Sequence, residues 1–277
     1  MTAGRYPEPR AAVFDDAAVL YDEVRPGYAP AIVDAIIAGA GLPGDGRILE
    51  IGCGTGQMTL PFAMRGYSVL ALEPGDALAA LAGRNCRGYP RVTIEPISFE
   101  AWPAEPGAFD LVLSAQAFHW IEPESGFAKT AVTLRPGGTL ALVWYIDVSQ
   151  DTPFWKATQP IYDRYLPGAP SELAGDSLAE TIDRYRRALG RSDSFEDLRE
   201  TRQASERAYT GAAYLKLLTT FSNHRALPEP DRTAFFTAIA GVVERHGGPI
   251  RRKYETILLL ARRGLRTGSA RPCSPSG

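Results

Sequence analysis

The stretch LEIGCGTG, residues 49–56, sets three glycines at alternate positions, Gly52, Gly54 and Gly56, just after a carboxylate, Glu50. Glycines so spaced do not fill a core. They let a backbone turn sharply and let a ligand come close to it. A second carboxylate, Glu73, follows about twenty residues on, where an acidic side chain accepts hydrogen bonds from ribose hydroxyls. Loop and carboxylate together point to a ligand that carries a nucleoside. The dinucleotide fingerprint reads GxGxxG, whereas the spacing here is GxGxG. Glu50 beside the loop is poor company for a pyrophosphate and good company for an amine or another cation.

These residues have to be held by strands and helices. The apolar run RILEI (47–51) reads as a buried strand, and its glycine end should open a helix over 57–64. SVLAL (68–72), RVTIEP (91–96), FDLVLSAQ (109–116) and TLALVWY (139–145) read as further strands. Helical patterns fall at 30–41, 75–84 and 123–134, the last stopped by RPGG. Strands alternating with helices mean an α/β fold, a doubly wound and mostly parallel sheet with right-handed crossovers. Ligands sit beyond the carboxyl ends of such strands. After Asp147 the pattern predicts helices at 153–165 and 178–189, a sixth strand at 195–205, helices within 209–222 and 231–247, and a last strand at 254–263. The basic run Arg251–Lys253 reads as a solvated turn. The organisation expected is a cap segment 1–30, a cofactor core 31–147, helical lid elements with the last strands 148–263, and a flexible tail 264–277.

The 277 residues are 45% hydrophobic and 22% charged with a net charge of −2, an ordinary globular composition without the basic surplus of a nucleic-acid binder. The three cysteines, Cys53, Cys86 and Cys273, form no CxxC and no metal-ligand spacing, so neither disulfides nor a metal is expected. No signal peptide and no membrane span is legible, and the expectation is a cytoplasmic protein, monomer or homodimer.

ILEIGCGTGQ, followed by VLALEP, FDLVLSAQAFHW and LRPGGTLALVW, resembles the class I S-adenosylmethionine-dependent methyltransferases. The segments YDEVRPGY (21–28) and AQAFHW (115–120) are similar to a small-molecule subgroup. The resemblance covers roughly the first half of the chain. It implies a Rossmann-like seven-stranded sheet with the last strand antiparallel, with S-adenosylmethionine across its carboxyl edge and S-adenosylhomocysteine as product. It also implies that Glu50, Gly52, Gly54 and Gly56 line the methionine part and that Glu73 holds the ribose. Pro74, Ser98 and Phe99 would border the adenine, and Gln116 and Ala117 would lie under the cofactor. Tyr21, Arg25 and Tyr28 would close over the reactive end.

Methyl transfer from a sulfonium is an in-line displacement that rests on alignment and water exclusion. Aromatic faces stabilise the cation, and Tyr21, Tyr28, Phe118, Trp120, Trp144 and Tyr145 are candidates. Core packing competes for each, more strongly for Phe118 and Trp120. His119, at the edge where chemistry occurs, is the candidate general base; a structural hydrogen bond is the equal alternative. Substrate contacts are expected from Tyr28, Trp144, Tyr145, Phe221 and His224, with a surface position the competing reading for His224. His246 reads as a helix C-terminal cation. For Arg25, a carboxylate of cofactor or substrate competes with a salt bridge to Asp22 or Glu23. The leading function is methyl transfer to an oxygen, nitrogen or carbon of a small molecule, in bacterial specialised metabolism. A sensor or cyclisation catalyst that binds the same cofactor without transferring methyl is the alternative. An NAD-dependent oxidoreductase is a third, disfavoured by GxGxG.

Overall fold

A computed structural model describes residues 18–25, 27–167 and 175–265. Most of the cap segment 1–30 and of the tail 264–277 lies outside them. The strands are β1 (Arg47–Ile51), β2 (Ser68–Leu72), β3 (Val92–Glu95), β4 (Phe109–Ala115), β5 (Leu134–Asp147), β6 (Phe195–Tyr209) and β7 (Ile250–Arg263). They form one sheet in the order β3-β2-β1-β4-β5-β7-β6. The first five are mutually parallel, and β7 runs antiparallel to both β5 and β6. The strand order reverses between β1 and β4, which opens a crevice at their carboxyl ends.

The helices are α1 (Ala18–Val24), α2 (Pro30–Ala40), α3 (Thr59–Met64), α4 (Asp76–Asn85), α5 (Pro123–Thr133), α6 (Pro153–Tyr165), α7 (Gly175–Gly190), α8 (Gly211–Leu218), α9 (Ser222–Arg225) and α10 (Glu229–His246). Helix α2 begins with Pro30, whose missing N–H costs nothing there, and ends at Gly41 in the left-handed region with φ 58°. Its Ile32, Val33 and Ile36 pack with Phe62 of α3 on one face of the sheet, against Ile48, Leu111, Val143 and Leu258. The other face takes Phe127 of α5 and Tyr185 and Leu189 of α7, against Leu49, Leu140, Trp144 and Leu259. Covered on both faces, the central strands are continuous apolar runs rather than alternating ones.

A separate apolar cluster lies beyond the sheet. It joins Val24 of α1, Phe154 and Tyr162 of α6, Tyr214 and Leu217 of α8 and Phe235 and Ile239 of α10, with Tyr209 and Ile250 from the facing ends of β6 and β7. At its base, the Arg252 guanidinium bonds the Asp147 carboxylate across β7 and β5, both side chains being buried.

Several expectations are corrected. The helix after the glycine loop starts at Thr59, two residues late, because residues 53–58 form turns. Strand β5 starts at Leu134, where Leu134 pairs with Phe109 ahead of a register shift, so RPGG belongs to the strand. Strand β6 continues to Tyr209. The run Arg251–Lys253 is no surface turn: it lies in β7, with Arg251 and Lys253 exposed and Arg252 turned inward. Edge strand β6 is mostly exposed, carries interleaved Glu and Arg, and has Asp197 at φ 55° where its register shifts, features that discourage pairing with a further strand.

Candidate cofactor site

Strand β1 ends at Ile51 and the chain turns through its glycines. Gly52, Gly54 and Gly56 have φ of 68°, 57° and 87°, values at which any side chain is strained. Gly52 is required twice over, since a Cβ there would stand 2.4 Å from the Ala117 Cβ. The loop is tied to the neighbouring strand: the Gly52 and Cys53 N–H groups donate to the Leu72 carbonyl at 2.8 and 3.1 Å. Glu73, at the end of β2, accepts from the Gly54 N–H at 2.8 Å through Oε2 and from the Gly75 N–H at 3.0 Å through Oε1. Those bonds use part of the carboxylate's acceptor capacity and fix its plane.

Glycine loop and Glu73 open on a cavity of roughly 450 Å³. Of the residues singled out in the sequence, Glu50, Gly52, Gly54, Glu73, Pro74, Ser98, Phe99, Gln116, Ala117 and Tyr28 line it. Gln116 adopts φ 57°, in the left-handed region, held by its own N–H to the Val143 carbonyl and its Nε2 to the Tyr145 carbonyl, 2.9 and 2.8 Å. Glu50 is buried and accepts from the Thr59 hydroxyl at 2.6 Å. Burial raises its pKa to about 7, with the Glu73 charge adding to the rise and the Thr59 bond opposing it. Burial likewise pushes up the thiols of Cys53 and Cys86, the latter to about 11.

Other expected residues lie elsewhere. Gly56 faces α4, with Cys86 Sγ 3.4 Å and Ala82 3.6 Å from the position of a Cβ, so it serves packing rather than the cavity. Tyr21 lies on α1, and its side chain is outside what is described. Arg25 donates to the hydroxyl and carbonyl of Thr220, both at 3.0 Å, and neither lines the cavity nor ion-pairs with Glu23, which holds Lys216. Trp144 is fully buried against Tyr185 and lies outside the cavity lining. Tyr145 is half-buried, 6.1 Å from Tyr28 between ring centroids. Phe221 and His224 lie outside the cavity lining, in the buried helical cluster; His224 is 0% exposed, which excludes the surface reading.

His119 does not border the cavity. Its Nδ1 accepts from the Trp144 indole N–H at 3.2 Å, and burial lowers its pKa to about 4. The neutral ring therefore carries its proton on Nε2. Phe118 is core, whereas Trp120 lines the cavity despite the packing expected of it. Sequence reasoning singled out for the site none of the strand-end and loop residues Ile51, Cys53, Thr55, Gln57, Leu72 and Ala115, and it missed Met58, Leu78, Glu100 and Ile121 in the lining. Met58 and Leu78 follow Gly56 and Pro74 in their turns and had a legible signal in that proximity. Glu100 and Ile121 had none.

No lining residue is Lys, Arg or His, while three carboxylates, Glu50, Glu73 and Glu100, are present. Thr55, in the glycine loop, lines the cavity, and its buried hydroxyl has no hydrogen-bond partner. A negatively charged concavity with fixed acceptors suits a cation-bearing nucleoside and repels phosphates.

Residues 48–138, which hold every lining residue but Tyr28, match the family model described as "Methyltransferase domain". An uncharacterized methyltransferase of Mycobacterium bovis is 34% identical over 132 residues, which is 47% of this chain and 51% of that protein. A Saccharomyces cerevisiae protein named "Probable S-adenosylmethionine-dependent methyltransferase" is 31% identical over 133 residues, 46% of this chain and 44% of its own length. The chain thus spans about half the length of the curated relatives it matches. A solved structure from Anaeromyxobacter dehalogenans, assigned as a type II methyltransferase, is 24% identical, covers 86% of this chain and 97% of its own, and superposes with a TM-score of 0.58. The stretch that builds the cavity is therefore similar to methyltransferase domains, and the sheet around it shares the fold of that solved structure.

Proposed function

We propose that this chain is an S-adenosylmethionine-dependent methyltransferase acting on a small-molecule acceptor. The observation that carries this reading is the charge of the cavity: three carboxylates and no basic side chain among its lining residues. That donor set fits a ligand with an ammonium and a sulfonium, and it disfavours NAD. When bound, the cofactor supplies an electron-poor methyl carbon. The residues of this chain do the remaining work. Glu73, its plane fixed by Gly54 and Gly75, faces the ribose hydroxyls, and Thr55 and Glu50 lie toward the amino-acid end. Gln116 and Ala117 floor the cavity beside Gly52, while Tyr28 and Trp120 present rings at its border. Catalysis is then largely positioning and exclusion of water, with oxygen, nitrogen and carbon acceptors all compatible.

His119 acts as a positioning residue in this reading. Its Nδ1 is occupied by Trp144 and its pKa is about 4, so it holds the turn after β4 instead of drawing a proton from the acceptor. The test is parallel calorimetry with S-adenosylmethionine, S-adenosylhomocysteine and NAD, then a search of small acceptors for a one-methyl mass gain. Binding of the two adenosyl ligands without NAD, and a methylated product, are expected. Tight NAD binding, or cofactor binding with no transfer to any acceptor, would overturn the reading.

A further inference from the structure

The helical layer encloses polar atoms that the cofactor cavity does not use. Tyr162, His224 and Arg252 are 3%, 0% and 4% exposed, and Tyr162 Oη, His224 Nε2 and Arg252 Nη1 each lack a hydrogen-bond partner. A buried polar atom so left is costly, so three in one cluster call for an explanation. They are neighbours, Arg252 acting electrostatically on both Tyr162 and His224. The His224 ring is 5.4 Å and the Arg252 guanidinium 5.7 Å from Phe221, and Tyr162 is 5.6 Å from His224.

The donor and acceptor roles are fixed. Asp147 takes the Nε and Nη2 edge of Arg252, which leaves Nη1 pointing away as an oriented donor. His224 Nδ1 lies 2.8 Å from the Leu218 carbonyl and must donate to it; with a pKa lowered to about 4 by burial the ring is neutral, so Nε2 presents a bare lone pair. Tyr162 Oη is a donor whose neighbour is the Tyr214 hydroxyl, too poorly placed to satisfy it and displaced when a ligand oxygen enters. The cluster thus wants one group with a lone-pair oxygen for Arg252 and Tyr162 and an N–H for His224. Asp147 already balances Arg252, so a carboxylate would bring an uncompensated charge inside and face the His224 lone pair.

We propose that Arg252, Tyr162 and His224 form a second binding site, which takes an amide group of the acceptor. The acceptor part of this inference rests on the methyltransferase reading. A ladder of rings connects the two places: Tyr28 at the cavity, Tyr145 at 6.1 Å, Tyr254 a further 5.6 Å on, and Arg252 5.3 Å beyond it. An acceptor with an apolar body would lie along the ladder, its amide at Arg252 and its reacting atom at Tyr28. Since the polar atoms are enclosed, α6 and α9 must part to admit it.

The chain has three histidines, so the Nε2 of His224 is readily resolved by nitrogen NMR of the full chain with labelled histidine. The probes are acetamide and, at matched ionic strength, sodium acetate. Acetamide is expected to move the His224 signal saturably and acetate to leave it in place, and Tyr162→Phe, which keeps the ring, should weaken the acetamide titration about five-fold. Acetate titrating in place of acetamide, an unchanged titration in Tyr162→Phe, or no titration by either probe would overturn the proposal, the last leaving an internal water as the shared partner. S-adenosylhomocysteine calorimetry on the same sample reads the methyltransferase assignment separately. A sample that binds acetamide at His224 but no adenosyl ligand keeps the site and loses the assignment, and the reverse result does the opposite.

Discussion

Glu50 carries a titration that couples to its ligand. With its pKa raised from 4.5 to about 7, it is half protonated in the free protein near neutrality. A cation seated beside it favours the ionised form, so binding releases a proton at and below that pH. Affinity for S-adenosylhomocysteine should climb as pH rises towards about 7 and level off above it, as calorimetry in buffers of different ionisation enthalpy will read. Glu50→Gln should flatten the profile. The same shift acts on the free protein with the opposite sense: an acid whose folded pKa lies above its unfolded value loses stability as pH rises from 4.5 to about 7. Melting temperature against pH in wild type and Glu50→Gln measures that slope, and equal slopes would remove it. At Glu73, the Ala variant loses the ribose acceptors and the tie to Gly54 and Gly75. Charged hydrogen bonds of this kind are worth about 1.5–3 kcal/mol, so cofactor affinity should fall at least about ten-fold. Both carboxylates were legible from spacing alone, because a strand end fixes where the next side chain points. The role of His119 was not, because it depends on Trp144, 25 residues away in sequence.

Two elements owe their placement to single side chains. Lys129 on α5 donates to the carbonyls of Phe99, Glu100 and Trp102 at 2.5, 3.0 and 2.5 Å and stands 5.0 Å over the Phe99 ring. It therefore clamps the segment after β3, whose Ser98, Phe99 and Glu100 line the cavity. Lys129→Met should weaken S-adenosylhomocysteine several-fold while the sheet remains folded, which calorimetry and circular dichroism together will check; unchanged affinity would count against the clamp. Asp147 and Arg252 join β5 to β7, and removing one partner leaves a charge buried alone. Asp147→Ala is expected to cost about 3–5 kcal/mol in denaturant unfolding, far more than loss of the exposed Arg251–Glu206 pair. The strands β1, β2 and β4 were read nearly to the residue, since glycines and charges bound their apolar runs. The start of β7 was misread because Ile250, Arg252 and Tyr254 face inward while Arg251 and Lys253 face out, a period of two hidden in a basic run. A charge is read as exposed unless its partner is visible, and Asp147 lies 105 residues away.

At the scale of the molecule, the packing of the β1–β5 half was legible and that of the helical half was not, although the elements of the latter were read closely, α6 to the residue. The first is built from local strand–turn–helix units, each with its own punctuation. The second buries Phe154, Tyr162, Tyr214, Phe221 and Phe235 in a cluster assembled from distant segments, whose aromatics carry no mark of which face is inside. That cluster also sets a limit on design. The chain leaves the sheet after Asp147 and re-enters it through β6 and β7, and the described material between Asp147 and Ile250 is fastened by α7 on the sheet face, by β6 against β7 and by α8 against α1. It behaves as a cassette. An exchange with the corresponding stretch of another such protein, cut at these two strands, would test whether that stretch sets acceptor choice while leaving the glycine loop and its carboxylates untouched, provided that the graft fits against the Arg252–Asp147 pair that stays behind on the sheet.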